Sequence, residues 1–257
     1  MVVDSALKVQ GRVIYALMMR EIHTIYGNSR LGYLWALINT MWGIFVFWGL
    51  RYVMGATAPH GMHVLMFLVV GFGIYNVFNG VITKCMSAVN GNKALLTFPQ
   101  VTPVDLMVSR MVIVWATELL AASLLIAAGI LFGMPMHVTD FGGLLTILLL
   151  TPLLGLGVGM SCASLAVLYP TLEKIIPMVL RIMFFVSGLF FSATTLPSYI
   201  LKYLWYNPML QIIEWGRVCM SRGYTTINYS EMYLLSVTLV SLCFGLLFER
   251  YVRGRVK

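Results

Sequence analysis

After Arg30 no charged side chain appears until Arg51, and Leu, Ile, Phe, Val and Trp dominate the stretch between them. An apolar run of that length leaves few folds open. Crossing a bilayer takes about 20 such residues, and only a helix satisfies their backbone polar groups within one segment. Residues 34–53 therefore read as a transmembrane helix, with Arg51 placed to snorkel at its far end. The pattern returns at 64–82, 105–132, 141–168, 175–191 and 232–248. The chain is 60% hydrophobic and 10% charged, whereas a soluble domain carries roughly a quarter charged residues. These proportions imply an all-α, polytopic membrane protein with one domain over residues 1–257.

The net charge of +8 does not imply nucleic-acid binding, because no basic stripe with interleaved aromatics lies outside the apolar runs. Membrane proteins concentrate Lys and Arg in cytoplasmic loops, and that bias sets the topology here. The basic segment 1–30, the loop holding Lys84 and Lys93, Lys174 and the Arg-rich tail fall on one side if there are six spans. The loops at 55–62 and 133–140, without Lys or Arg, fall on the other. Both termini are then cytoplasmic. Residues 1–30 form an amphipathic helix on the membrane surface, and Gly27-Asn28-Ser29 turns the chain into the first span. Residues 192–223 are split by Asn207-Pro208 into pieces too short to cross, so they read as a re-entrant hairpin on the outer face between spans 5 and 6. Cys219 is then expected to be open to the outer solution and Cys85 closed to it. The row Gly155, Gly159, Ala163 reads as a helix-packing face.

Catalytic motifs are missing from the sequence. There is no Gly-Lys pair for a phosphate loop, no His-Glu-x-x-His, no Gly-x-Ser-x-Gly, and the four histidines lack metal-ligand spacing. No metal or cofactor is expected on this chain, and it is not expected to be an enzyme. Ionisable residues inside the spans carry more information, since a charge near mid-bilayer costs on the order of 3 kcal/mol. Glu118 lies halfway along its span. Arg181 follows Lys174 by two helical turns on the same face, ~10 Å deeper. One expectation is that Glu118 and Arg181 pair with each other or with nearby polar groups, Glu118 having a structural role. The other is that Lys174 and Arg181 line a polar cavity that meets an anionic substrate. Tyr199, Tyr203, Trp205 and Tyr206 fit either an interfacial belt or a surface that stacks on sugar rings. In the loop 83–103, Ala94-Leu-Leu-Thr-Phe-Pro99 is apolar for a segment facing water, and it would be buried by a soluble partner.

Arg20-Glu21, Tyr26-Gly27, the run Arg30-Leu31-Gly32-Tyr33-Leu34-Trp35 and the segment Trp205-Tyr206-Asn207-Pro208 closely resemble permeases of bacterial capsular polysaccharide export. These are the KpsM/BexB-like members of the type-2 ABC exporters, and the resemblance covers nearly the whole chain. It implies a homodimeric permease in the bacterial inner membrane, bound to two copies of a separate ABC ATPase that uses ATP and Mg. Coupling to that ATPase would involve Arg20, Glu21, Tyr26, Arg30, Lys93, Phe98, Pro99 and Asp105. The substrate path would include Lys174, Arg181, Tyr203, Trp205 and Tyr206. The implied cargo is an anionic, lipid-linked capsular polysaccharide passed to periplasmic and outer-membrane export proteins. Thr40 departs from the proline frequent in relatives at the end of the first motif, which implies a different entry into the first span. Alternatives are an exporter of O-antigen, teichoic-type glycan or a small amphiphile, and an integral-membrane enzyme acting on lipid-linked sugars. The last needs a paired acid/base or metal constellation, which the sequence does not offer.

Overall fold

The computed structural model describes residues 6–26, 32–55, 61–98, 100–134, 137–226 and 229–256. Every regular element among them is helical. In chain order these are α1 (Ala6–Tyr26), α2 (Gly32–Val53), α3 (Val64–Asn90), α4 (Pro103–Leu131) and α5 (Phe141–Leu168). There follow α6 (Leu172–Val186), α7 (Ser198–Leu204), α8 (Pro208–Met220) and α9 (Glu231–Val256). Short 3₁₀ turns occupy Lys93–Thr97 and Ala193–Thr195. Among the described residues, four segments, Val64–Val89, Pro103–Leu131, Phe141–Leu168 and Glu231–Arg255, are long and apolar enough to cross a membrane. The corner expected at Gly27-Asn28-Ser29 lies outside the described residues.

Local chemistry accounts for the helix ends. Thr102 and Asp105 close a capping box at the start of α4, with Pro103 in the first turn. Asp140 caps α5 by accepting from the Gly143 amide at 3.0 Å. Asn207 caps α8 by accepting from Met209, so Asn207-Pro208 marks a helix start as well as the break between α7 and α8. α3 runs past the expected end of its span to Asn90, because Thr83, Lys84 and Ser87 change its solvent without breaking its helix.

α3 is the axis of the bundle, and Phe67, Leu68, Val81 and Ile82 on it are fully buried. α4 packs along one side of it and α5 along another, and α5 in turn carries α9. Glycines set these distances. A Cβ on Gly155 or Gly159 would press on Val81 or Cys85 of α3, so the small-residue row is a packing seam. Gly157, on the opposite side of α5, faces the α9 backbone, where a Cβ would lie 2.6 Å from the Leu242 nitrogen.

Two regions differ from expectation. α6 ends at Val186 rather than 191, where Ser187 and Gly188 turn the chain; Gly188 has φ 77°. Its 15 residues fall short of the usual crossing length of about 20. The segment expected to form a hairpin is asymmetric: α7 is largely exposed, whereas α8 lies inside the bundle against α3 and α5, buried from Met209 to Arg217. Cys219 is buried with it, so its thiol is not open to solution. α8 goes inward because Ile212, Ile213 and Trp215 join the main core and its polar side chains find internal partners.

Candidate functional site

The sequence candidates gather at opposite ends of the bundle. At one end, α1 lies across the start of α4 on the face formed by Gln10, Val13, Leu17 and Glu21. Polar bridges pin it there. Gln10 Nε2 donates to Asp105 Oδ1, Arg20 donates to the Asn92 side-chain oxygen, and Arg110 pairs with Glu21 at 3.0 Å. The same Arg110 donates to the Lys84 carbonyl at 3.0 Å and to Ser87 Oγ at 2.9 Å, which ties α1 and α4 to the end of α3. Arg20, Glu21 and Asp105 therefore belong to one internal clamp that joins the surface helix to the 91–103 loop. Arg110 is its hub, and the sequence reading gave it no role. A cation near the start of a long apolar helix has too many ordinary uses to be singled out without its partner.

Beside the clamp, Phe98 is 60% exposed, an unusual position for a large aromatic at a helix junction. It borders a groove of about 400 Å³ with Thr102, Met107, Ser164, Glu249 and Arg253. Glu249 is buried there; Arg253 bonds its Oε2 at 2.8 Å, and its Oε1 has no hydrogen-bond partner. Lys93 opens the 3₁₀ turn and Tyr26 closes α1, but their side chains lie outside the described set. Arg30 and Pro99 lie outside the described residues.

Glu118 and Arg181 are not partners. Glu118 Oε1 accepts from Thr40 Oγ1 at 3.1 Å, which ties α2 to α4 through a donor that proline would not offer. Arg181 and Lys174 are both exposed on the outer face of α6, with Ile175, Met178, Ile182 and Phe185 around them. Neither has an ion-pair partner among the described residues. The apolar outer face of α6 thus presents two separated cations.

At the other end of the bundle, Tyr199, Tyr203 and Tyr206 form an exposed stripe on and just beyond α7, and Trp205 is half-buried. The Trp205 carbonyl accepts from Gln211 at 2.7 Å, and the Tyr206 carbonyl accepts from the Tyr233 hydroxyl at 2.6 Å. The strongest polar feature here was not anticipated. Glu214 and Arg217, one helical turn apart on α8, form a fully buried ion pair at 3.0 Å. Arg217 also donates to the Leu189 and Phe191 carbonyls and lies 3.4 Å above the Phe67 ring. Arg51 donates to the intervening Phe190 carbonyl, so three successive carbonyls of the 187–192 turn are held by two guanidinium groups. The Glu214 carboxylate accepts from Tyr224, Thr226 and Ser192. Burial, opposed by the nearby Arg217 cation, pushes the Tyr224 hydroxyl up to about 12, so it donates as a neutral phenol. The sequence signal was an acid and a base at i, i+3 in an apolar helix, but such spacing is equally common on solvated faces.

The sequence profile of the ABC-2 type transporter family matches residues 12–221. The chain is 29% identical to the polysialic acid transport protein KpsM of Escherichia coli, over 96% of this chain and 95% of that protein. It is 27% identical to the capsule polysaccharide export inner-membrane protein CtrC of Neisseria meningitidis serogroup B, over 97% and 95% of the two chains. With BexB of Haemophilus influenzae, also a capsule polysaccharide export inner-membrane protein, the figures are 25%, 96% and 93%. The helical architecture, the four apolar spans and a family match over most of the sequence agree, and the chain belongs to the ABC-2 type transporter family.

Proposed function

We propose that this chain is the transmembrane subunit of an ATP-driven exporter that moves a lipid-linked capsular polysaccharide across the bacterial inner membrane. The observation that carries the reading is its full-length similarity to capsule-exporting inner-membrane proteins, joined to family membership. The substrate is an anionic polymer, and Lys174 and Arg181 are the cations that attract it. α2 and α6 complete six spans with both termini in the cytoplasm, and α7–α8 form the hairpin at the outer face. Two copies of the chain assemble with two copies of a separate ABC ATPase, and periplasmic and outer-membrane export proteins receive the polymer.

In this reading the α1 clamp receives the motor's stroke. Phe98 and its groove seat the ATPase, and Lys93 and Pro99 are assigned to the same contact. Motion of the loop then passes through Arg110 to α1, α3 and α4 together, with Tyr26 and Arg30 carrying it on towards α2. A charge exchange tests this with the intact complex. Arg110→Glu should lower export per ATP hydrolysed by at least ~tenfold, about 1.4 kcal/mol of lost coupling. The double variant Glu21→Arg with Arg110→Glu should recover part of it, while the ATPase still co-purifies in every case. If no nucleotide hydrolase co-purifies and polymer crosses without one, the reading fails.

A further inference from the structure

α9 leaves one face uncovered from mid-span to its end. It rests on α5 through Gly245, where a Cβ would lie 2.6 Å from the Gly157 carbonyl. On the opposite side Val240, Phe244, Leu247 and Tyr251 are more than half exposed. Spacings of three and four residues put them in one row along the helix. In a helix apolar enough to cross a membrane, the solvent for such a row is lipid. The aromatic side chains are ordered among themselves. Phe244 stacks on Phe248 at 5.8 Å and Phe248 on Tyr251 at 6.4 Å, both pairs within 14° of parallel.

The row ends in cations. Arg255, four residues after Tyr251, holds its guanidinium 4.7 Å from the centre of the Tyr251 ring. Arg250 stands three residues after Leu247, and both arginines are exposed. Side chains on a helix lean towards its N-terminus, and in α9 that direction leads back along the apolar span. The two cations are therefore carried at the end of the apolar row and not away from it. Arg253 has Glu249 as its acid at 2.8 Å, whereas neither Arg250 nor Arg255 forms an ion pair among the described residues. Compensation of the helix dipole accounts for a basic last turn, but not for a stacked apolar row leading into it.

We propose that this face of α9 holds an anionic phospholipid. Arg250 and Arg255 take its phosphate, and an acyl chain lies along Tyr251, Leu247, Phe244 and Val240. Guanidinium and phosphate pair through charge-assisted hydrogen bonds. A zwitterionic headgroup offers the same phosphate but carries an ammonium that the two guanidiniums repel, so the site selects by net headgroup charge. It lies on the other side of α9 from the groove that contains Glu249, and it stands whether or not the export reading holds.

The test is photolabelling of the full chain in phosphatidylcholine nanodiscs with phosphatidylglycerol that carries a diazirine in its acyl chain. Adducts should concentrate on 240–251. Unlabelled phosphatidylglycerol should lower labelling at least ~fivefold more than an equal amount of phosphatidylcholine, the preference that one basic side chain contributes near an anionic membrane surface. Arg250→Gln with Arg255→Gln should abolish the difference between the two lipids, and each single substitution should reduce it if the double variant does not fold. Lys202→Gln with Arg222→Gln removes the same charge from exposed positions on α7 and just after α8, and should leave the difference unchanged. Equal competition by the two lipids, a preference that survives loss of the arginines, or the same loss in the charge-matched variant would each overturn the proposal.

Discussion

Glu214 and Arg217 hold α8 in the bundle by charges with no access to water. Removing one partner from such a pair leaves a bare charge in a low-dielectric interior, and the expected cost is about 3–5 kcal/mol. Arg217→Met should therefore lower the unfolding midpoint sharply in detergent, followed by tryptophan fluorescence. The double variant Arg217→Met with Glu214→Gln should return much of the loss, because it removes both charges together. A double variant no more stable than the single one would mean that Arg217 acts mainly through the Leu189 and Phe191 carbonyls and the Phe67 ring. Of the two partners expected for Glu118, Arg181 or a nearby polar group, it is the second that the structure brings, the Thr40 hydroxyl. Composition marks a residue as costly in lipid. It does not say which helix brings the compensating group.

At the scale of the element, hydrophobic run length located the helices well: α5 occupies 141–168 as read, and α4 is shifted by a residue or two. Periodicity could not place α8 inside the bundle, since an apolar helix of 13 residues looks the same when it dips into lipid or packs into protein. The small-residue row was legible because Gly and Ala recur every fourth position, but Gly157 between them was not. It faces α9, and its role depends on a neighbour more than 80 residues away in sequence. Gly157→Ala should force α5 and α9 apart, since its Cβ would meet backbone rather than a yielding side chain. We expect a loss of about 1–3 kcal/mol, the usual cost of overpacking, read as a lower melting temperature. Gly49→Ala on α2, where nothing lies within 4 Å, is the matched control and should melt as the wild type. Equal melting of the two variants would show that α9 shifts at no cost.

In the whole molecule, the outer face of α6 is exposed and mixes cations with large apolar side chains. A face bearing Arg181 two turns from Lys174 does not suit lipid, where each buried cation costs on the order of 3 kcal/mol. The apolar side chains around them suit bulk water no better. In the proposed assembly of two copies, a water-filled space with α6 on its wall would satisfy both requirements. This predicts a contrast in thiol chemistry. The thiol introduced by Arg181→Cys or Met178→Cys should react with a charged, membrane-impermeant reagent, faster when the transport cycle is running. Native Cys243, also exposed in the single chain but on α9, is expected to face lipid and to stay unreactive. Modification is measured by mass shift in intact membranes, with Cys85, Cys162 and Cys219 replaced by serine in both backgrounds. If Cys243 reacts as fast as the thiol of the Arg181→Cys variant, the water-filled space lies against α9 instead, and Lys174 and Arg181 lose their claim on the substrate.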